Sequence, residues 1–260
     1  MQTTPKIKTN GRLKTAFTLL LFIVLLIWSG FKTNFSIASL STGAPEMMNL
    51  VKEMLPPDWS YFKEIVDPML DTIRMAILGT TFGSLLAVPV ALLSASNVFK
   101  SKWINFPVRL FLNIIRTIPD LLLASIFVAV FGIGALPGIF ALTVLSFGIV
   151  AKLFYESLEN IDDGPLEAMT AVGANKSKWV TFGVLPQAIA PYLSFVLFTF
   201  EINIRAAAVL GLVGAGGIGL FYDKTLGYFE YPKVTTIIIF TLLIVMVIDY
   251  LSTKVREKLL

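Results

Sequence analysis

Apolar residues in this chain run in unbroken blocks, and the blocks have the length of membrane-crossing helices. A hydrocarbon core of about 30 Å takes roughly 20 helical residues to cross. Residues 15–31 form the first such block, behind a basic head of Lys6, Lys8, Arg12 and Lys14. A cleaved leader ending at Ser36-Ile37-Ala38 is the competing reading of this block; an uncleaved anchor is preferred because further spans follow. An amphipathic stretch comes next, with Met47, Leu50, Val51 and Met54, then Pro56-Pro57-Asp58-Trp59. Trp59, Tyr61 and Phe62 suit a membrane interface, where one end of a ring stays wet. Residues 75–96 are uncharged and make the second span, with Arg74 at its outer edge.

Residues 121–151 are also uncharged, too long for one span and short for two. The run Gly132-Ile133-Gly134-Ala135-Leu136-Pro137-Gly138 predicts a tight hairpin dividing them. Basic residues decide the count. Lys100, Lys102, Arg109 and Arg116 precede the block, while Lys152, Lys176 and Lys178 follow it. Both groups belong on the cytoplasmic side, so the chain crosses twice between them. The third span then begins near Leu110, and Arg116 and Asp120, four residues apart beside Pro119, read as an ion pair near its cytoplasmic end. The fifth and sixth spans fall within 188–212 and 234–251, and Lys254, Arg256 and Lys258 keep the tail inside. Asp249, near the end of the last span, is expected to meet the interface or Lys254. About six transmembrane helices with both termini cytoplasmic result, an all-α polytopic membrane protein. Continuous rather than alternating hydrophobicity argues against a β-barrel.

Composition narrows the chemistry. Hydrophobic residues make up 56% of the chain, and mean hydropathy is +0.79. With no cysteine, neither a disulfide framework nor a thiolate metal site can form. With no histidine, the commonest general base and metal ligand is missing, which weakens enzyme readings. The net charge of +4 is an orientation signal; nucleic-acid binding would need basic clusters on a soluble face.

A long polar connection joins the fourth and fifth spans, over 158–186. Within it, Gly164-Pro165 ends one helix and starts the next, proline being tolerated in a first turn. Leu166-Glu167-Ala168-Met169-Thr170-Ala171-Val172 predicts a short helix that Gly173 stops with a left-handed turn. So short a helix is not stable alone and needs a partner surface or a scaffold. Ala168 and Ala171 leave room for close approach, Glu167 favours the helix dipole, and Leu185-Pro186 marks the return to the membrane. The spacing Glu167-Ala168-Met169, Gly173, Leu185-Pro186 resembles the EAA loop of bacterial ABC-importer permeases. That resemblance implies that the 166–173 helix docks on a cytoplasmic ATPase. Met169 stands where the pattern has a second alanine, and Gly183 where it often has isoleucine.

Glu201 and Arg205 lie four apart among apolar residues, and on a helix this spacing predicts an ion pair on one face. One reading is a structural pair fixing helix packing; the other is a translocation path whose cation attracts an anion. Downstream, the run from Ala206 to Gly219 includes Gly211, Gly214, Gly216 and Gly217, small residues suited to close helix contact, a bend or a gate. No Gly-x-x-x-x-Gly-Lys-Ser/Thr pattern occurs, so ATP is hydrolysed by another polypeptide. Phe200-Glu201-Ile202-Asn203-Ile204-Arg205-Ala206-Ala207 and the block 210–219 are similar to those of phosphonate-type permeases, as are Pro56-Pro57-Asp58, Lys152-Leu153-Phe154-Tyr155-Glu156 and Glu159-Asn160-Ile161-Asp162. These matches extend over about residues 55–220.

The resemblance implies a type-I ABC-importer (MetI-like) permease working as a homodimer in the cytoplasmic membrane. Its implied partners are a second permease copy, a cytoplasmic ABC ATPase dimer and an extracytoplasmic substrate-binding protein. Residues 1–70 would supply an anchor helix and an extracytoplasmic amphipathic segment, and 71–260 the permease domain. The chain itself would carry no cofactor, ATP and Mg being used by the ATPase. Glu167, Ala168, Gly173, Leu185 and Pro186 would couple to that ATPase, and Glu201, Asn203, Arg205, Gly214, Gly216 and Gly217 would shape the pathway or its gate. A permease for another solute such as methionine, an ion-coupled secondary transporter using Glu201 as a proton site, and a membrane enzyme at Glu201, Asp120 or Asp249 are the rivals.

Overall fold

The computed structural model describes residues 10–33 and 35–259, so Lys6 and Lys8 of the expected basic head lie outside it. All regular structure among the described residues is helical, and the chain divides into two compact units, Met1–Glu53 and Met54–Leu260. The first unit holds α1 (Asn10–Lys32) and α2 (Ile37–Glu53). In α1 the apolar side chains from Phe17 to Trp28 are all exposed, as expected of a helix whose solvent is lipid.

The second unit opens with a single turn, Trp59–Tyr61, that leads into α3 (Phe62–Ser94). Asp58 caps the turn by accepting a hydrogen bond from the Ser60 amide at 3.0 Å. The second span is thus the inner part of a longer helix. Arg74 lies within it and pairs with Asp71 at 2.8 Å, both exposed. Next come α4 (Lys102–Thr117) and α5 (Asp120–Phe131), bent by 86° at the break between them. Pro119 explains the break. It holds Ile118 in extended backbone (φ −73°, ψ 122°), outside the helical region. The expected continuous third span from Leu110 is therefore a broken one. Arg116 and Asp120 sit on different helices, and no ion pair forms between them.

The hairpin lies where the glycines placed it: α5 ends at Gly132 (φ 83°), and α6 (Ala135–Glu159) starts after Gly134. Then follow α7 (Asp163–Ala171), a single turn α8 (Lys176–Trp179), a π turn Val180–Val184, and α9 (Leu185–Leu210). Helical backbone thus runs from Lys176 to Leu210, and Leu185-Pro186 lies inside that track rather than at a sharp point of return. Pro186 has no N–H to donate and crowds the carbonyl four residues back; the widened turn just before it relieves both.

After Gly211–Val213 the chain breaks at three glycines of positive φ: Gly214 (90°), Gly216 (86°) and Gly217 (69°). It then forms α10 (Ile218–Gly227) and α11 (Tyr231–Leu259). Among the described residues, five helical tracks are long and apolar enough to cross a membrane, or up to six with the bent α4–α5 pair.

Helices α3, α6 and α9 form the centre. Small residues bring α3 and α6 together: a Cβ on Gly79 would lie 2.4 Å from the Leu142 Cβ, and one on Gly83 would lie 2.5 Å from the Thr143 carbonyl oxygen. Close backbone approach of this kind is how membrane helices gain packing energy without a hydrophobic drive. The glycine break is also seated tightly. Gly134 N–H donates to the Gly214 carbonyl at 3.0 Å, and Ile218 N–H donates to Thr72 Oγ1 at 2.8 Å, tying the start of α10 to α3.

Candidate coupling helix and intramembrane charge pairs

The short helix α7 is closed at both ends by its own sequence. The Asp162 carboxylate accepts from the Gly164 amide at 3.0 Å, an N-cap that satisfies one orphan donor. At the other end, Ala174 N–H bonds to the Met169 carbonyl (3.1 Å) and Gly173 N–H to the Thr170 carbonyl (3.0 Å). With Gly173 at φ 69°, this pair of bonds is a Schellman closure, and it needs a residue without a Cβ penalty there.

The helix is then seated against the track before α9. Leu166 is buried, and Trp179 Nε1 donates to the Leu166 carbonyl at 3.1 Å and to Thr170 Oγ1 at 3.2 Å. Gln187 exchanges bonds with Asp162, its Oε1 accepting from the Asp162 amide (3.0 Å) and its Nε2 donating to the Asp162 carbonyl (3.2 Å). A Cβ on Gly183 would lie 3.1 Å from Leu166 Cδ2 and 3.5 Å from Met169 Cγ. The two departures from the EAA pattern, Met169 and Gly183, are therefore neighbours: the larger side chain occupies the space the missing one leaves. Glu167, Ala168, Ala171, Val172 and Gly173 face outward, with Val172 76% exposed. The face left open is small, apolar and bordered by one carboxylate.

A ring of polar contacts supports this end of the bundle, and sequence reasoning missed it. Arg109 donates to the Ser94 carbonyl from Nε (2.9 Å) and Nη2 (2.7 Å), capping the C-terminus of α3, and pairs with Glu159 at the end of α6. Asn105 donates to the Leu93 carbonyl at 2.9 Å, Asn97 to the Leu158 carbonyl at 2.6 Å, and Lys176 to the Val98 carbonyl. Lys176 also lies 4.1 Å from the centre of the Trp179 ring. The partners are 50 to 78 residues apart for the Arg109–Glu159 and Lys176–Val98 contacts, so no local spacing announces them.

The intramembrane charges are paired differently from the sequence expectation. Glu201 does not pair with Arg205. Glu201 accepts from Arg256 at 2.6 Å, and Arg205 binds Asp249 at 3.1 Å. The i,i+4 spacing does put Glu201 and Arg205 on one face of α9, but that face packs against antiparallel α11, which offers a carboxylate and a guanidinium in reverse order. Asp249 is accordingly taken by Arg205 rather than by the interface or by Lys254, whose ammonium lies over the Tyr250 ring at 4.6 Å.

Asn203 points the other way, into the α3–α6–α9 centre. It is fully buried, and its Nδ2 donates to Thr80 Oγ1 (2.7 Å) and Ser146 Oγ (2.5 Å). Two open grooves flank Arg205. One of about 650 Å³ lies towards α10 and α11, and one of about 480 Å³ lies towards Asp120 and Leu121 of α5. Gly214, Gly216 and Gly217 form the packed joint before α10. Among the described residues, no group of three or more His, Cys, Asp or Glu side chains could hold a metal ion.

The chain belongs to the family of binding-protein-dependent transport system inner membrane components, which it matches over residues 87–259. It is 34% identical to the phosphite transport system permease protein PtxC of Stutzerimonas stutzeri over 92% of this chain and 86% of that protein. It is 33% identical to the phosphate-import permease protein PhnE of Mycolicibacterium smegmatis over 90% of this chain and 44% of that one. Its fold is similar to a chain of the MetNI methionine ABC transporter in an inward-facing form, with a TM-score of 0.70 at 23% identity over 78% of this chain and 99% of that one. The protein is thus a permease subunit, a multi-pass membrane component, and its family implies an ATPase and a substrate-binding protein as partners.

Proposed function

We propose that this permease imports a phosphorus oxyanion, such as phosphite, a phosphonate or phosphate, and works as a homodimer. The relatives support the substrate class: proteins described as phosphite and phosphate permeases align over nine-tenths of the chain. In this reading α7 faces the cytoplasm, both termini are cytoplasmic, and residues 158–186 form the coupling loop. The outward face of Glu167, Ala168 and Val172 receives the ATPase, with Gly173, Leu185 and Pro186 shaping its seat. One chain supplies half of the pathway, and a second copy supplies the other half. Helix α1 serves as an anchor, and α2 as an extracytoplasmic interfacial helix. ATP and Mg are used by the ATPase alone.

Arg205, beside two grooves, is the cation offered to the anion, while Glu201 and Asn203 hold α9 in place. The glycine joint at Gly214, Gly216 and Gly217 gives the bend at which access switches. Glu201 is 8% exposed and held by Arg256 at 2.6 Å, which favours a role in joining α9 to α11 over that of an open carrier site. Growth of a deletion strain on phosphite, methylphosphonate or a phosphate ester as sole phosphorus source tests the reading. Rescue by the wild-type gene is expected, and Glu167→Lys should abolish it while the protein still accumulates in the membrane. Rescue on none of these sources would move another solute, methionine among them, into first place.

A further inference from the structure

The two charge pairs that join α9 to α11 differ in a way that assigns them different work. Arg256 and Glu201 are largely sequestered, with side chains 25% and 8% exposed, and they meet at 2.6 Å. Arg205 and Asp249 are 49% and 38% exposed and meet at 3.1 Å. Only Nη1 of Arg205 is engaged, reaching one Asp249 oxygen at 3.1 Å and the other at 3.4 Å. Nε–H and the Nη2–H groups of Arg205 make no hydrogen bond to the described residues. The strong arrangement of a guanidinium with an oxyanion is a fork of two parallel N–H···O bonds. Neither pair makes it, since Arg256 reaches Glu201 through Nη2 alone, but only Arg205 is exposed enough to offer its free N–H groups to a ligand. Among the described residues Arg205 is moreover the one cation lining either groove, in a lining whose other polar side chains are Tyr222, Thr241 and Asp120.

We propose that Asp249 is the resident counter-ion of Arg205, holding the guanidinium between transport events and yielding it to a tetrahedral oxyanion in passage. This rests on the reading of the chain as an oxyanion permease with Arg205 in its path. An unpaired guanidinium in the membrane interior is costly, so the cation needs a neutralising partner when no substrate is there. A tetrahedral anion offers two oxygens to the fork and can outcompete a carboxylate held by one nitrogen. Passage also requires that binding be weak enough to reverse, and a carboxylate poised to take the guanidinium back supplies that weakness. Asp249 thereby sets both affinity and release, while the Glu201–Arg256 pair keeps the two helices joined throughout.

The test uses the full-length protein in lipid nanodiscs for binding of phosphite and inorganic phosphate, and cells for uptake of the same anions. Asp249→Asn should bind both anions about tenfold more tightly, the worth of roughly one charge-assisted contact. Its uptake should show a lower half-saturation and a lower maximal rate. Arg205→Gln should lose binding and uptake while eluting as a folded protein. Anion affinity unchanged in Asp249→Asn overturns the proposal. So does wild-type uptake by the charge-reversed double variant R205D/D249R, because a merely structural pair tolerates reversal. Should Asp249→Asn not fold, modification of the wild-type protein by phenylglyoxal decides: phosphite must protect Arg205, and no protection overturns the proposal. Tighter binding in Asp249→Asn together with no phosphorus uptake by wild-type cells would sink the transport reading and leave the counter-ion standing. Normal phosphite uptake with Asp249→Asn unchanged in both affinity and rate would do the opposite.

Discussion

The polar contacts that cap and seat α7 itself close within 25 residues of one another, whereas across the α9–α11 interface each charge finds its partner 44 or 55 residues away. The first region is built from caps and turns: Asp162 on the Gly164 amide, the Schellman bonds at Gly173, Trp179 on the Leu166 carbonyl. Such contacts follow from short-range backbone geometry, and they hold a nine-residue helix that could not stand alone. The second region is built from side chains that local geometry would have paired with each other. Contact with a neighbouring helix re-paired them, because antiparallel α11 brings a carboxylate beside Arg205 and a guanidinium beside Glu201. Local order makes a docking surface that a partner can read; long-range order makes a charge arrangement that can change partners.

The largest expected effect lies in the second region. Arg256→Met leaves the Glu201 carboxylate buried without a partner, and breaking a buried pair costs about 3–5 kcal/mol. Thermal unfolding in detergent should show this loss, with a much smaller one for Arg205→Met, whose partner Asp249 is more than a third exposed. Equal losses would erase the distinction between the two pairs. In the first region, Gly183→Ile should crowd Leu166 and Met169, an overpacking worth about 1–3 kcal/mol. It should lower ATP-coupled uptake, and adding Met169→Ala should recover most of the loss. Strict additivity of the two changes would mean that the residues do not share one space. Trp179→Phe keeps the ring but removes the donor to Leu166 and Thr170, for about 1 kcal/mol by the same unfolding measurement.

The smallest effect is a pH dependence at Asp58, the local cap that precedes α3. The Ser60 hydroxyl, bonded to the carboxylate at 2.5 Å, holds its pKa below the usual value, helped by the Ser60 and Tyr61 amides. A lowered folded-state pKa stabilises the fold above the ordinary carboxylate value of about 3.9 and loses that stabilisation as pH falls through the lower one. The stability difference between wild type and Asp58→Asn should therefore be constant from about pH 5 to 8 and shrink only below about pH 4. A difference that changes near neutrality would point to another titrating group.

Element by element, legibility tracked the range of the contacts. The Gly132–Gly134 corner and the Gly173 stop were readable because positive φ has a residue signature. Pro119 is readable too, but the four-residue spacing around it predicts an Arg116–Asp120 pair. The extended backbone it imposes on Ile118 separates those residues onto helices bent by 86°. The glycine run after Leu210 announced a bend but not α10, whose first amide is held by Thr72, 146 residues earlier. Met169 and Gly183 read as two independent departures from a pattern, and only in the fold are they one packing adjustment.

Block hydrophobicity alone determined that this is a polytopic helical protein, because backbone in lipid must satisfy itself within the helix. Spacing alone determined a short capped helix in the loop, because caps and left-handed glycines act within a turn or two. Only the tertiary structure decided that Arg205 answers to Asp249, that Glu201 is held by Arg256, and that Asn203 turns away from both into the α3–α6–α9 centre. Helical periodicity says which face a side chain shares, but the choice among charges on that face belongs to whichever helix packs against it.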